Sequence, residues 1–175
     1  DIESLNLYKE LVEEKGWNPE TVLAMVRAKG RDNARTPMQW DDSAHAGFTT
    51  GTPWIKENPN YPAINVKQAL ADPNSVFYYY QTLLRLRKEH PVFVYGRYDL
   101  ILDDNEAIYA FTRTLENDRL LVILNFTDKT PVFTLPPQIA FVDTELLLSN
   151  YAVESPEGIH QFTLRPYETR VYRLR

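Results

Sequence analysis

The chain of 175 residues contains no cysteine. Disulfides, thiolate metal sites and a cysteine nucleophile are therefore excluded, and the composition suits the cytoplasm, where the protein is expected. Glycine is scarce, at six residues, and none forms the Gly-rich loop that cradles phosphates. Histidine occurs three times, at His45, His90 and His160, without metal-ligand spacing, so all three are expected to be surface or packing residues and no metal or other cofactor is expected. No apolar run approaches the roughly 18 residues of a membrane span, and no signal peptide is visible, so no membrane partner is expected. A net charge of -5 and a pI near 5.2 argue against a nucleic-acid partner. The sequence opens on Asp1 without a methionine, which points to a processed or truncated product.

Aromatic residues are abundant: 11 Tyr, 8 Phe and 3 Trp, a composition that serves large cores and sugar-stacking surfaces equally. Residues 1–14 carry apolar positions at helical spacing (Ile2, Leu5, Tyr8, Leu11, Val12), and Gly16 ends them. Asn18-Pro19-Glu20 reads as a helix start, with Asn at the N-cap and Pro in the first turn; Gly30 is placed to close that helix as C′. A short helix is predicted near 65–70 and a longer one at 75–89, with Val76, Tyr79, Tyr80, Leu83, Leu84 and Arg87 along one side. The Tyr78-Tyr79-Tyr80 run is expected to pack at a junction between helix and domain. From Val92 the pattern changes to short segments with period two or apolar runs, at 97–102, 107–114, 119–126, 131–135, 142–150, 159–164 and 168–174. Glu116-Asn117-Asp118 reads as a hairpin turn. This predicts helices plus a long loop, a boundary near 91–96, and an antiparallel sandwich or barrel behind it.

Between the helices lies the most informative stretch, Arg31-Asp32-Asn33-Ala34-Arg35-Thr36-Pro37-Met38-Gln39-Trp40-Asp41-Asp42. It has neither helical nor strand periodicity, and Pro37 restricts Thr36 to extended or turn conformations. Its charged groups must pair with each other, with solvent or with a ligand. The loop runs on for about forty residues in all, a length typical of functional or disordered segments, and its aromatics (Trp40, Phe48, Trp54) argue against disorder. Charged forks beside aromatic plates hold hydroxyl-rich ligands; an Asp32–Arg35 ion pair that merely braces the loop fits the spacing equally well.

Acids number 24, yet none forms a recognisable catalytic pair. Retaining glycoside hydrolysis needs two carboxyl groups about 5 Å apart, facing each other across the substrate. Asp41-Asp42 and Asp103-Asp104 are sequence neighbours, which an extended chain points to opposite faces, so they read as solvated turn acids. No serine sits in a nucleophile elbow. Asn125-Phe126-Thr127 matches a glycosylation acceptor formally, but it ends a strand predicted to be buried and reads as chance.

The run at 31–41, followed by Ala46-Gly47-Phe48 and Pro53-Trp54, resembles the α-amylase superfamily of glycoside hydrolases, and within it the oligo-1,6-glucosidase branch. The likeness continues through Asn58-Pro59-Asn60-Tyr61, Ile64-Asn65-Val66, Phe77-Tyr78-Tyr79-Tyr80, Tyr98-Asp99-Leu100 and Leu164-Arg165-Pro166-Tyr167-Glu168. The resemblance implies an α+β fragment. Residues 1–91 would be the C-terminal segment of a (β/α)8 catalytic barrel, a long loop plus the last helix, and residues 92–175 a C-terminal antiparallel β-sandwich. It also implies a parent α-glucosidase acting on short α-linked gluco-oligosaccharides. The catalytic carboxylates would lie on earlier strands outside this chain, so no catalytic residue is assigned here. Arg35 would be substrate-binding, reaching the non-reducing-end glucose; Arg31 and Asp32 would brace the loop, and Trp40 and Trp54 would either line the entrance or, as favoured here, anchor the loop. Helices shaped to face a barrel would leave the fragment open to self-association. The rival expectation is a self-contained carbohydrate-binding or interaction module without catalysis.

Overall fold

The computed structural model describes residues 1–153 and 158–175. The chain divides into two compact units, Asp1–Ser75 and Val76–Arg175.

In the first unit, helix α1 (Ile2–Tyr8) starts where the Asp1 carboxylate accepts the Glu3 amide, and the chain continues as a π-helical segment, Lys9–Glu14. Gly16, at φ +68°, supplies the left-handed residue that ends it. Helix α2 (Pro19–Lys29) begins as predicted, with the Asn18 side chain accepting the amides of Glu20 and Thr21. Its end differs from expectation. Gly30 is not a left-handed C′ residue but a cap in extended conformation (φ -60°, ψ 119°), which turns the chain straight into Arg31. Short 3₁₀ turns follow at Arg31–Ala34 and Ala44–Gly47, then helix α3 (Val66–Ala71), capped by Asn65.

This unit has little core of its own. Leu11, Val22 and Ala46 are its buried hydrophobics among the described residues, whereas Ile2, Leu5, Trp17, Met38, Trp54 and Ile64 are exposed. Few buried apolar contacts mean low local stability. Amide exchange of the dilute chain is therefore expected to be fast across residues 1–60 and slow in the paired strands of 107–125; uniform protection would contradict this.

The second unit opens with helices α4 (Val76–Glu89) and α5 (Val92–Tyr95). Among the described residues seven strands follow: β1 (Arg97–Leu100), β2 (Ile108–Leu115), β3 (Asp118–Asn125), β4 (Val132–Thr134), β5 (Thr144–Ser149), β6 (Gln161–Thr163) and β7 (Thr169–Leu174). All seven fall inside the predicted segments to within a residue. They build an antiparallel five-stranded sheet in the order β1-β2-β3-β7-β5 and a separate β4-β6 pair. The predicted hairpin turn is present, with Leu115 opposite Asp118 and Glu116 left-handed at φ 53°.

Side-chain alternation assigns the two faces of the large sheet. Ala110, Leu121, Ile123, Tyr172 and Leu174 point to one side, where they meet Phe133 and Phe162 of the small sheet with Leu135, Ile139, Ile159 and Leu164. Val122, Leu148 and Val171 point to the other side and meet Leu86 of α4, flanked by Tyr79, Leu83 and Phe93. Of the predicted side of α4, Tyr79 and Leu83 do face inward, joined by Leu86, which the sequence reading left out, whereas Val76, Tyr80, Leu84 and Arg87 do not. The predicted side is broader than one helical stripe, and the sheet covers only the part of it next to Leu86.

The end of the sandwich is tied by polar groups. Asn125 is buried, and its amide nitrogen donates to the carbonyls of Lys129 and Arg165, both at 2.8 Å, while its oxygen accepts from Thr127. The formal glycosylation acceptor is therefore a structural cap. Tyr167, left-handed at φ 54°, turns the chain so that Glu168 enters the interior. The Glu168 side chain is fully buried between two arginines: Arg170 Nε donates to it at 2.8 Å and Arg165 Nε at 3.2 Å. Arg170 also lies over the Phe162 ring at 4.2 Å, and Arg165 over Tyr151 at 4.4 Å.

Candidate functional site

Gly30 and the short 3₁₀ turn after it bring Arg31, Asp32 and Arg35 onto the surface of the first unit. Arg35 donates to the Asp32 carboxylate at 3.0 Å. Arg31 turns away from Asp32 and reaches Asp1 at 3.1 Å and Glu3 at 3.2 Å, tying the turn to the start of α1. More than half of the Arg35 side chain remains exposed. Its guanidinium keeps donors free of Asp32 geometry and can meet a hydroxyl-rich ligand in the same fork.

The long loop after this turn is cross-braced despite its length. Gln39 donates to the Asn60 side chain at 3.0 Å and to the Ile64 carbonyl, and its own carbonyl accepts the Val66 amide. Trp40 and Asp41 both donate backbone amides to the Ala46 carbonyl, and His45 pairs with Glu57 at 3.2 Å. His45, Ala46 and Gly47 are all left-handed, at φ 54°, 58° and 65°. Glycine suits position 47: side chains rarely adopt its φ, and a Cβ would sit 2.7 Å from the Asp41 carboxylate, which would have to shift. Non-glycine residues persist in that region only where surrounding structure over-determines them.

Within this chain the bracing is made by hydrogen bonds. Trp40 is half exposed and Trp54 is 92% exposed, so the hydrogen bonds and not the rings hold the segment. Trp54 instead lines an open cleft of about 490 Å³ together with Asp32, Thr36, Ile55, Lys56 and Asp1. Sequence reasoning missed Gln39, Thr36 and Lys56. For Gln39 the available signal was a lone amide between Met38 and Trp40 in a stretch without periodicity, where a four-bond side chain is a natural brace.

The carboxyls of this loop that depart from their ordinary pKa, Asp41, Asp42 and Glu57, are all lowered. A general acid needs a raised pKa. The Ser43 hydroxyl, then its amide, hold the Asp41 carboxyl low, and the Lys67 ammonium at 3.0 Å does the same for Asp42. Asp103 and Asp104 are exposed turn residues, as predicted. His90 packs near Phe93 and His160 near Phe141. Among the described residues no cluster of three or more His, Asp or Glu could hold a metal ion, and no helix is long and apolar enough to cross a membrane.

Comparison with known proteins places this architecture. Residues 3–96 match the family described as Alpha amylase, catalytic domain, and residues 108–171 match the Alpha-amylase SusG C-terminal domain. The chain is 61% identical over all of its 175 residues to an oligo-1,6-glucosidase of Parageobacillus thermoglucosidasius, and 47% identical over 99% of its length to a trehalose-6-phosphate hydrolase of Bacillus subtilis (strain 168). A crystal structure of a Bacillus licheniformis trehalose-6-phosphate hydrolase superposes on 99% of the chain with a TM-score of 0.91 at 44% identity. In each case the chain spans 31% of the length of the relative. Its first part is an α-amylase catalytic-domain segment and its second an antiparallel C-terminal sandwich, and the chain belongs to the α-amylase family of glycoside hydrolases.

Proposed function

We propose that this chain is the C-terminal part of a retaining α-glucosidase of the oligo-1,6-glucosidase type, which hydrolyses short α-linked gluco-oligosaccharides. The observation that carries the reading is the 31–36 turn: it presents the half-exposed Arg35 fork on Asp32, beside a cleft whose wall includes an exposed indole. Relatives named oligo-1,6-glucosidase share the full length of the chain and support it. In this reading Arg35 binds the non-reducing-end glucose. Asp32 orients it, Arg31 braces the turn, and residues outside the chain supply the nucleophile and the acid. The boundary near residue 91, between barrel segment and sandwich, belongs to the same reading, as does a role in cytoplasmic carbohydrate metabolism, which cell fractionation tests.

Two assays decide it. The chain alone is expected to release no glucose from isomaltose or from a chromogenic α-glucoside, because in this reading the nucleophile and the acid lie outside it. The longer natural product containing it is expected to hydrolyse isomaltose with retention of anomeric configuration. Turnover that copurifies with the chain alone, or a longer product inactive on α-glucosides, overturns the proposal.

A further inference from the structure

We infer that Gln39 is a positioning residue for Arg35, setting the direction in which its guanidinium meets the sugar; this rests on the function proposed above. Arg35 ends the 3₁₀ turn Arg31–Ala34: its amide donates to the Asp32 carbonyl at 3.1 Å, and its backbone has left helical geometry at φ -126°, ψ 28°. The turn fixes it from upstream. Downstream, among the described residues, no hydrogen bond is made by Thr36, Pro37 or Met38, so Gln39 is the first point at which the chain is held again. Its side chain donates to Asn60 at 3.0 Å and to the Ile64 carbonyl, and its carbonyl accepts the Val66 amide at 2.9 Å. Trp40 adds a fourth bond, its carbonyl accepting the Lys67 amide at 3.0 Å. All four run to the approach and first turn of α3, between residues of this chain, whatever packs around it. The span from Arg35 to Gln39 is short and stiff. Pro37 has a fixed φ and restricts Thr36 to extended or turn conformations, so a shift at Gln39 is passed to Arg35 and not absorbed. Asp32 holds the guanidinium through one nitrogen, Nη2 at 3.0 Å, which leaves its direction to the backbone it grows from. A planar fork rewards that control, because its donors bind only in a fixed plane.

The test is a double-mutant cycle in the full-length enzyme with isomaltose as substrate. Gln39→Met keeps the length and volume of the side chain but cannot donate. It is expected to lower kcat/KM about fivefold to tenfold, mainly through KM, since the sugar is held in the ground state as well as the transition state. In an Arg35→Lys background a mobile ammonium gains nothing from a fixed backbone. There the same substitution should change kcat/KM by less than about twofold, because coupled residues are not additive. Asn60→Ala removes one bond and leaves the Ile64 carbonyl in place; it should show the same dependence on Arg35 at smaller size, and it carries the test if Gln39→Met fails to fold. Equal factors in the two backgrounds overturn the inference and leave Gln39 a loop brace. So does a Gln39→Met enzyme within about twofold of wild type. If Arg35→Lys alone leaves kcat/KM within about twofold, Arg35 is scaffolding and the positioning falls with it. A wild-type enzyme inactive on isomaltose instead overturns the glucosidase reading.

Discussion

Glu168→Ala is expected to destabilise the second unit by about 3–5 kcal/mol, the usual cost of removing one partner from a buried ion pair. The carboxylate is fully buried, and Arg170, its closest partner, is 3% exposed, so neither charge can fall back on water. Glu168→Gln should lose nearly as much, because the shape survives while the charge that offsets two guanidinium groups does not. Denaturant unfolding of the full chain measures this, and a loss below about 1 kcal/mol would show the arginines re-solvated at little cost. The same residue sets an acid limb. Burial alone would raise its carboxyl pKa, but the hydrogen bonds from the Arg165 side chain and amide and from Arg170 together outweigh burial and lower it. The unfolded chain then binds the proton more readily than the native one. The contribution is therefore present above the ordinary glutamate value of about 4.3 and is lost as pH falls through it toward the depressed native value. The Gln variant should show a flatter limb in that window.

In the full-length enzyme, Arg35→Lys is expected to lower kcat/KM by roughly tenfold to a hundredfold, since hydrogen bonds to a charged group typically contribute about 1.5–3 kcal/mol. Lysine offers a mobile point charge where the guanidinium holds Asp32 and a sugar hydroxyl in one plane. The structure separates this from a bracing role. The Arg35 side of its pair with Asp32 is more than half exposed and the Asp32 side about a third, and solvent-screened pairs contribute about 0–1 kcal/mol, so melting should hardly move. A melting temperature that falls while kcat/KM stays within twofold would assign Arg35 to scaffolding.

Much of this fold can be read from local pattern. The strands are visible because a sandwich strand must alternate, and Ile108, Ala110, Leu121 and Ile123 do so in phase with the observed faces. Asn18-Pro19 marks a helix start because it satisfies the first amides chemically. Information that depends on tertiary partners is absent from such patterns. Helix α4 has an apolar side broader than one stripe, and only the sheet decides between Leu86 and Tyr80. Glu168 lies three residues after one arginine and two before another, an unremarkable surface spacing until the left-handed Tyr167 folds the segment inward. At the candidate site the sequence brings Asp32 and Arg35 together, which the i,i+3 spacing favours. It cannot show that Trp54 stands free, because the long-range bonds of Gln39 that hold the loop without it come from residues 21 and 25 positions away.

The cap at Asn125 has a consequence for how the protein is made. Synthesis through a eukaryotic secretory route exposes Asn125-Phe126-Thr127 to glycan transfer before the strand has folded. A glycan replaces a hydrogen on the side-chain nitrogen, yet the native structure gives both hydrogens to the Lys129 and Arg165 carbonyls within a buried corner. Attachment and folding exclude each other at that atom, so in a secreting yeast every glycosylated copy is a copy that cannot close its sandwich. Bacterial production avoids that competition altogether.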